Sequence, residues 1–279
     1  MKIISSSLEI QKITLELRKI GKTIGFVPTM GALHAGHLKL VKESKAKNDV
    51  TIVSIFVNPA QFSLNEDLAK YPRPFEEDKK LLDQEKVDYL FYPNAKTMYP
   101  DDFQTNVTAK KLANILEGKS RPNHFTGMAT VVLKLFNIVQ PTNAYFGQKD
   151  FQQCIVIKQM VRDLNLPINI NVVPTVRDKD GLALSSRNIF LNPQERLEAL
   201  SLHQSLLLAK KSILTGNKNA QTVKAKVKDY LQKYKQVRLD YIEICNSENL
   251  SPLKVISKKA VILIAAFVGK TRLIDNIIV

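Results

Sequence analysis

Short apolar, β-branched runs recur along the first part of the chain, at positions 24–27, 50–57, 89–91, 144–146 and 168–173. Between them, apolar residues fall at helical spacing over 38–47, 75–85 and 130–138. Uninterrupted apolar runs are what a strand buried on both faces requires, whereas spacing near 3.6 marks a helix with one buried side. Strands that alternate with helices imply right-handed crossovers and a parallel sheet. Ligands of such a sheet sit at the carboxyl ends of its strands. After about position 174 the pattern changes to a turn-rich loop, a helix over 193–214, a basic helix within 218–235, and runs at 239–244, 260–267 and 271–278. The last two runs predict a hairpin through Val268-Gly269-Lys270. The expectation is an α/β domain over residues 1–175, followed by a smaller α+β domain over 176–279.

Composition narrows the function classes. No apolar run in the 279 residues approaches the roughly 20 needed to span a bilayer, and the first residues lack the apolar stretch of a secretory signal, so no membrane partner is expected. Cys154 and Cys245 read as packing thiols rather than a disulfide, which makes a reducing cytoplasm the expected location. The net charge of +15 would attract any polyanion. Its distribution argues against nucleic acid as a partner. Lysines thicken at Lys210-Lys211 and over 218–235, where Val223, Val227, Tyr230 and Leu231 keep helical spacing, as on a solvated helix face. Neither a zinc-finger cysteine set nor an aromatic RNA-binding signature accompanies them. Attraction of small anions is the benefit expected of this charge.

Candidate chemistry begins where the run 24–27 ends, in Thr29-Met30-Gly31-Ala32-Leu33-His34-Ala35-Gly36-His37. A strand breaking at a Gly-containing turn into a helix is where an open α/β sheet binds nucleotide phosphates. His34 and His37 fall on one side of a helical turn, and Gly36 between them permits close approach. Alone, this H-x-G-H pattern fits phosphate ligands, metal ligands or partly buried polar residues. A second segment runs Val176-Arg177-Asp178-Lys179-Asp180-Gly181-Leu182-Ala183-Leu184-Ser185-Ser186-Arg187-Asn188. Its Leu184-Ser185-Ser186-Arg187 resembles the second phosphate-binding signature of the nucleotidyltransferase superfamily, in which a guanidinium and hydroxyls stabilise charge on a leaving pyrophosphate. An Asp180-Gly181 turn opening a polar helix is the plainer reading of the same residues.

Taken together, these segments resemble the pantothenate synthetase family, the ATP-dependent pantoate–β-alanine ligases. The resemblance covers nearly the whole chain. It rests also on Phe56-Val57-Asn58-Pro59-Ala60-Gln61-Phe62, Tyr71-Pro72-Arg73, Arg121-Pro122-Asn123-His124-Phe125-Thr126-Gly127 and Tyr145-Phe146-Gly147-Gln148-Lys149-Asp150-Phe151-Gln152-Gln153. It implies a Rossmann-like parallel sheet of the H-x-G-H nucleotidyltransferase superfamily with a smaller α+β lid domain, and a homodimer. The implied reaction makes pantothenate, AMP and pyrophosphate through pantoyl adenylate, in pantothenate and coenzyme A biosynthesis.

The resemblance also implies roles for individual residues. His37 lies nearest the chemistry, with His34 and Lys149 as further catalytic phosphate contacts. ATP is met by Met30, Gly31, Ala32, Leu33, His34, Ala35, Gly36 and His37, by Gly147, Gln148, Lys149 and Asp150, and by Val176, Leu184, Ser185, Ser186 and Arg187. Gln61 and Gln153 bind (R)-pantoate through neutral amides, and Gln61 also borders β-alanine. Mg²⁺ accompanies the triphosphate, held mainly by its oxygens, with Asp78 or Glu77 near it. One departure stands out: Gln148 occupies a place where the family often has Glu, keeping length and an acceptor oxygen but no charge. The rivals from the same superfamily are a nucleotidyltransferase that releases a stable nucleotidyl product and an aminoacyl-tRNA synthetase core, the latter usually needing a longer chain and a tRNA-binding module.

Overall fold

The computed structural model describes residues 1–62, 68–257 and 259–279. Along the chain come β1 (Lys2–Ile4), α1 (Ser7–Lys19), β2 (Ile24–Thr29), α2 (Ala35–Lys47), β3 (Val50–Ile55), α3 (Phe75–Gln84), β4 (Tyr89–Phe91), α4 (Ala95–Met98), α5 (Glu117–Ser120) and α6 (His124–Val139). Then follow β5 (Asn143–Gly147), α7 (Phe151–Asp163), β6 (Asn169–Val173), α8 (Pro193–Leu214), α9 (Ala220–Leu231), β7 (Val237–Asn246), β8 (Ala260–Val268) and β9 (Thr271–Ile278). The chain divides into two compact units, one of Met1–Gln148 with Gln152–Pro174 and one of Lys149–Phe151 with Thr175–Val279.

In the first unit a sheet of order β1-β4-β3-β2-β5-β6 is parallel at every pairing. Alternate residues explain why its strands read as continuous apolar runs. Phe26 and Ile52 join Ile10, Phe136 and Val156 in one core, while their neighbours Val27 and Val53 join Leu40, Val41 and Leu82 in another. Burying each such side chain contributes about 1.5–3 kcal/mol, and both sheet faces are filled in this way. β2 leads to β3 on one side, whereas β5 and β6 lie on the other. The strand order therefore reverses between β2 and β5, and the carboxyl ends of strands at such a reversal are where open α/β sheets bind their ligands.

β1, α1, α4, α5 and α7 had no expectation attached. β1 is a three-residue edge strand in which only Ile4 is buried, and α1 buries only Ile10 and Thr14. α6 begins at His124, ahead of the expected 130–138, because it starts without a side-chain cap, from Asn123 in the left-handed region.

In the second unit β7, β8 and β9 form an antiparallel sheet with β8 in the centre. The expected hairpin is present, with Val268 paired to Thr271. α8 has the expected bounds. Asn192 caps it by accepting the Glu195 N–H at 2.9 Å, Glu195 accepts the Asn192 N–H at 2.9 Å in return, and Pro193 occupies the first turn. Leu202, Leu206, Val223, Val227, Ile262 and Ile264 share its core. Besides Thr175–Val279, the second unit takes in Lys149–Phe151, whose Lys149 carbonyl accepts the Asn276 side-chain N–H at 3.0 Å.

Candidate active site

Beyond β2 the chain turns sharply through Gly31 (φ 83°) and Ala32 (φ 50°). An alanine in the left-handed region costs about 1–2 kcal/mol, and here a specific contact offsets it. Asp78, in the first turn of α3 and only 2% exposed, accepts the Ala32 N–H on Oδ2 at 2.8 Å and the Leu33 N–H on Oδ1 at 2.7 Å. Burial pushes its carboxyl pKa up, the two N–H groups pull it back down, and Glu77 nearby adds a smaller upward push. Both oxygens thus face backbone donors in a dry site. Asp78, the residue expected near magnesium, thus clamps the loop, with each of its oxygens accepting one backbone N–H.

His34 is the N-cap of α2 rather than part of the helix. Its Nδ1 accepts the Gly36 N–H at 3.1 Å, and the His34 N–H donates to His37 Nδ1 at 3.4 Å. With both Nδ1 atoms acting as acceptors, each neutral ring carries its proton on Nε2. The rings lie 4.2 Å apart at 38°. Gly36 is needed because a Cβ there would meet the His34 ring at 2.8 Å. α2 therefore opens with two imidazole donors beside its positive end.

Gln61 follows β3 in a short turn and is 7% exposed, which rules out idle surface polarity. Its Oε1 accepts from Asn58 Nδ2 at 3.0 Å, and its Nε2 donates to Met30 Sδ at 3.0 Å. Asn58 in turn accepts the Tyr99 hydroxyl at 2.8 Å, and burial raises that phenol's pKa to about 12. The Gln61 carbonyl meets His124 Nδ1 at 2.9 Å, while His124 Nε2 meets an Arg121 nitrogen at 3.0 Å. Arginine can only donate, so His124 accepts on Nε2 and donates from Nδ1. One residue, Gln61, is thereby held at both its amide and its carbonyl. Gln153, in the first turn of α7, is half-buried, and among the described residues its side chain makes no hydrogen bond. Gly147, which ends β5, pairs with Val173, and Gln148 follows it.

In the second unit Lys149 Nζ lies 3.4 Å from Asp150 Oδ1, with the lysine side chain 20% exposed. Val176 accepts the Leu184 N–H at 3.0 Å, Arg177 bridges to Ala183, and the Asp178 N–H donates to the Leu182 carbonyl at 2.8 Å. The Asp180-Gly181 turn read from the sequence is therefore real, and it carries residues 184–187 rather than competing with them. Ser185 caps the short helix Ser186–Phe190 by accepting the Arg187 N–H at 3.3 Å. Arg177 makes a bidentate pair with Asp275, at 2.7 and 2.8 Å.

Sequence reasoning gave no role to Asn58, Tyr99, Arg121, His124, Asp275 or Asn276. The first, third and fourth of these lie inside the matching blocks, a signal that was available. Tyr99, Asp275 and Asn276 carry none.

A family model described as pantoate-beta-alanine ligase matches residues 2–278. The pantothenate synthetase of Caldicellulosiruptor saccharolyticus is 55% identical over 279 residues, covering 100% of this chain and 99% of its own. That of Thermotoga petrophila is 52% identical over 278 residues, with 100% and 99% covered. Among solved structures, pantothenate synthetase from Thermus thermophilus superposes with a TM-score of 0.94 at 41% identity, over 99% of each chain. A pantoate-beta-alanine ligase from Francisella tularensis, complexed with beta-gamma ATP and beta-alanine, gives 0.81 at 40% identity, over 100% of this chain and 97% of that one.

Proposed function

The chain belongs to the pantoate-beta-alanine ligase family and is a ligase, and from that premise we propose that it condenses (R)-pantoate with β-alanine through a pantoyl adenylate, consuming ATP. The observation that carries this reading is the His34–His37 pair, oriented by its own helix start at the carboxyl end of β2, beside the point where the strand order reverses. A carboxylate acylates poorly because oxide would have to leave. One pantoate oxygen therefore attacks the α-phosphorus of ATP, and the bond from that phosphorus to the bridging oxygen of the β-phosphate breaks. The amine of β-alanine then attacks the acyl carbon, AMP leaves with the pantoate oxygen, and the amine loses a proton as the amide forms.

Such chemistry needs charge stabilisation and positioning more than a protein nucleophile. His37 and His34 donate from Nε2 to phosphate oxygens as charge develops on them. Lys149, Ser185, Ser186 and Arg187 are the further phosphate donors, and Met30, Gly147, Gln148, Asp150, Val176 and Leu184 are nucleotide contacts. Gln61 and Gln153 bind pantoate, the former with its amide already aligned by Asn58 and Met30. Mg²⁺ accompanies ATP on the triphosphate oxygens. Asp78, each of whose oxygens already accepts a backbone N–H, would meet it only through its remaining lone pairs, and among the described residues no cluster of three histidine, cysteine or carboxylate ligands is present.

We place the reaction in pantothenate and coenzyme A biosynthesis, carried out by a homodimer. Sedimentation should give twice the chain mass. Incubation with ATP, pantoate and β-alanine should yield AMP and pyrophosphate. ADP as the nucleotide product would refute the reading.

A further inference from the structure

We infer that Asp275 and Asn276, adjacent on β9, are positioning residues that hold Lys149 and residues 184–187 at a fixed separation. The inference rests on the ligase reading for what those segments bind. Consecutive strand residues point to opposite faces of a sheet. From one side of β9 Asp275 takes the Arg177 guanidinium, with Arg177 NH1 at 2.7 Å from Oδ2 and NH2 at 2.8 Å from Oδ1. Arg177 NH1 also donates to the Gly181 carbonyl at 3.1 Å, so this one side chain ties β9 to both arms of the loop that leads into Leu184. From the next residue Asn276 Nδ2 donates to the Lys149 carbonyl at 3.0 Å.

Both residues are almost wholly buried, Asp275 at 5% and Asn276 at 2% exposure. They sit opposite Ile264 and Leu263 of β8, where apolar side chains would serve the strand better. A buried carboxylate and amide kept at such places need partners; Asp275 also accepts the Asn276 backbone N–H at 2.8 Å and lies 3.8 Å from His203 Nδ1, but the contacts that reach beyond β9 and α8 go to the two segments to which phosphate contacts are assigned. The division of the chain points the same way: Lys149–Phe151 joins the second unit although the residues on either side of it join the first. β9 thus acts as a two-sided ruler, setting where the Lys149 backbone lies relative to Ser185, Ser186 and Arg187.

The test is a set of double-mutant cycles on the full chain, read by calorimetric titration with MgATP, by pantoate-dependent pyrophosphate release and by thermal unfolding. Asn276→Asp keeps the size of the side chain but removes the donor; Asp275→Asn keeps the shape but removes the charge. Asn276→Ser and Asp275→Glu replace them should either fail to fold. Each is combined with Lys149→Ala and with Arg187→Ala. We expect Asn276→Asp to weaken ATP binding roughly 5- to 100-fold, and this loss to shrink to about twofold or less once Lys149 is already alanine. Asp275→Asn should couple in the same way to Arg187→Ala. Penalties that simply multiply across both cycles, or a lowered melting temperature with ATP affinity unchanged, would overturn the inference. A wild-type chain that binds ATP but releases no pyrophosphate with pantoate would strike the ligase reading alone, because the ATP cycles decide the positioning role by themselves.

Discussion

Each histidine of the H-x-G-H segment commits Nδ1 to the start of α2, which orients the ring and fixes Nε2 as a donor before any substrate arrives. Removing such a pre-set donor should slow adenylation more than binding. His37→Ala and Lys149→Ala are each expected to lower pantoate-dependent pyrophosphate release by about 10²-fold or more. Near-normal single-turnover rates in both would dismiss the roles assigned to them. Gln61→Ala and Gln153→Ala should instead raise the KM for pantoate, by about 1–3 kcal/mol or roughly 5- to 150-fold, while calorimetry finds ATP affinity little changed. The reverse pattern would move these glutamines to the nucleotide. Asp78 acts at one remove. In Asp78→Asn one oxygen still accepts, but an amide N–H group now faces a backbone N–H, so the loop should loosen and the KM for ATP rise by about 1–3 kcal/mol. An unaltered KM would mean that the clamp is idle. Burial raises the Asp78 pKa, so the folded state holds that proton more tightly than the unfolded chain does. Its contribution to stability therefore falls as pH rises from the ordinary carboxylate value through the raised one. Chemical denaturation of wild type and Asp78→Asn across that window should show this slope in the wild type only.

At the scale of elements, α6 and the turn holding Gln61 form a unit whose tolerance is small. A Cβ on Gly127 would lie 2.0 Å from the Ala60 carbonyl oxygen. Gly127→Ala should therefore push α6 off this turn, destabilising the chain by about 1–3 kcal/mol and disturbing the His124–Gln61 contact, with a raised KM for pantoate alongside the lower melting temperature. Unchanged stability would show that the two move apart freely. The buried strands were legible because a parallel strand filled on both faces leaves an uninterrupted apolar run, as in Ile24–Thr29 and Val50–Ile55. α8 was legible from Asn192, Pro193 and Glu195, which signal a helix start locally. β1 and α1 were not, since Ile4, Ile10 and Thr14 bury too little to set a period. In the site, His34, His37, Gln61 and residues 184–187 stood in compact motifs. The Asp78 clamp, the Tyr99–Asn58–Gln61 chain and the Asp275–Arg177 pair join residues far apart in sequence, and only folding brings them together.

The whole molecule keeps its chemistry-bearing segments in two compact units, the H-x-G-H loop and Gln61 in one, Lys149 and residues 184–187 in the other. Its net charge of +15 would favour the approach of anions such as ATP and pantoate, and of the adenylate proposed to form from them. A strongly basic chain needs no nucleic-acid partner to account for its charge when its substrates are themselves anions. What unites the histidine pair, the lysine and the serine–arginine segment is one claim: the chain activates a carboxylate by adenylation. Pantoate carrying ¹⁸O in both carboxylate oxygens tests it most directly. In a single turnover with ATP and β-alanine, one labelled oxygen should appear in AMP and the other remain in the amide carbonyl of pantothenate. AMP free of label, while labelled pantothenate forms, would contradict the adenylate.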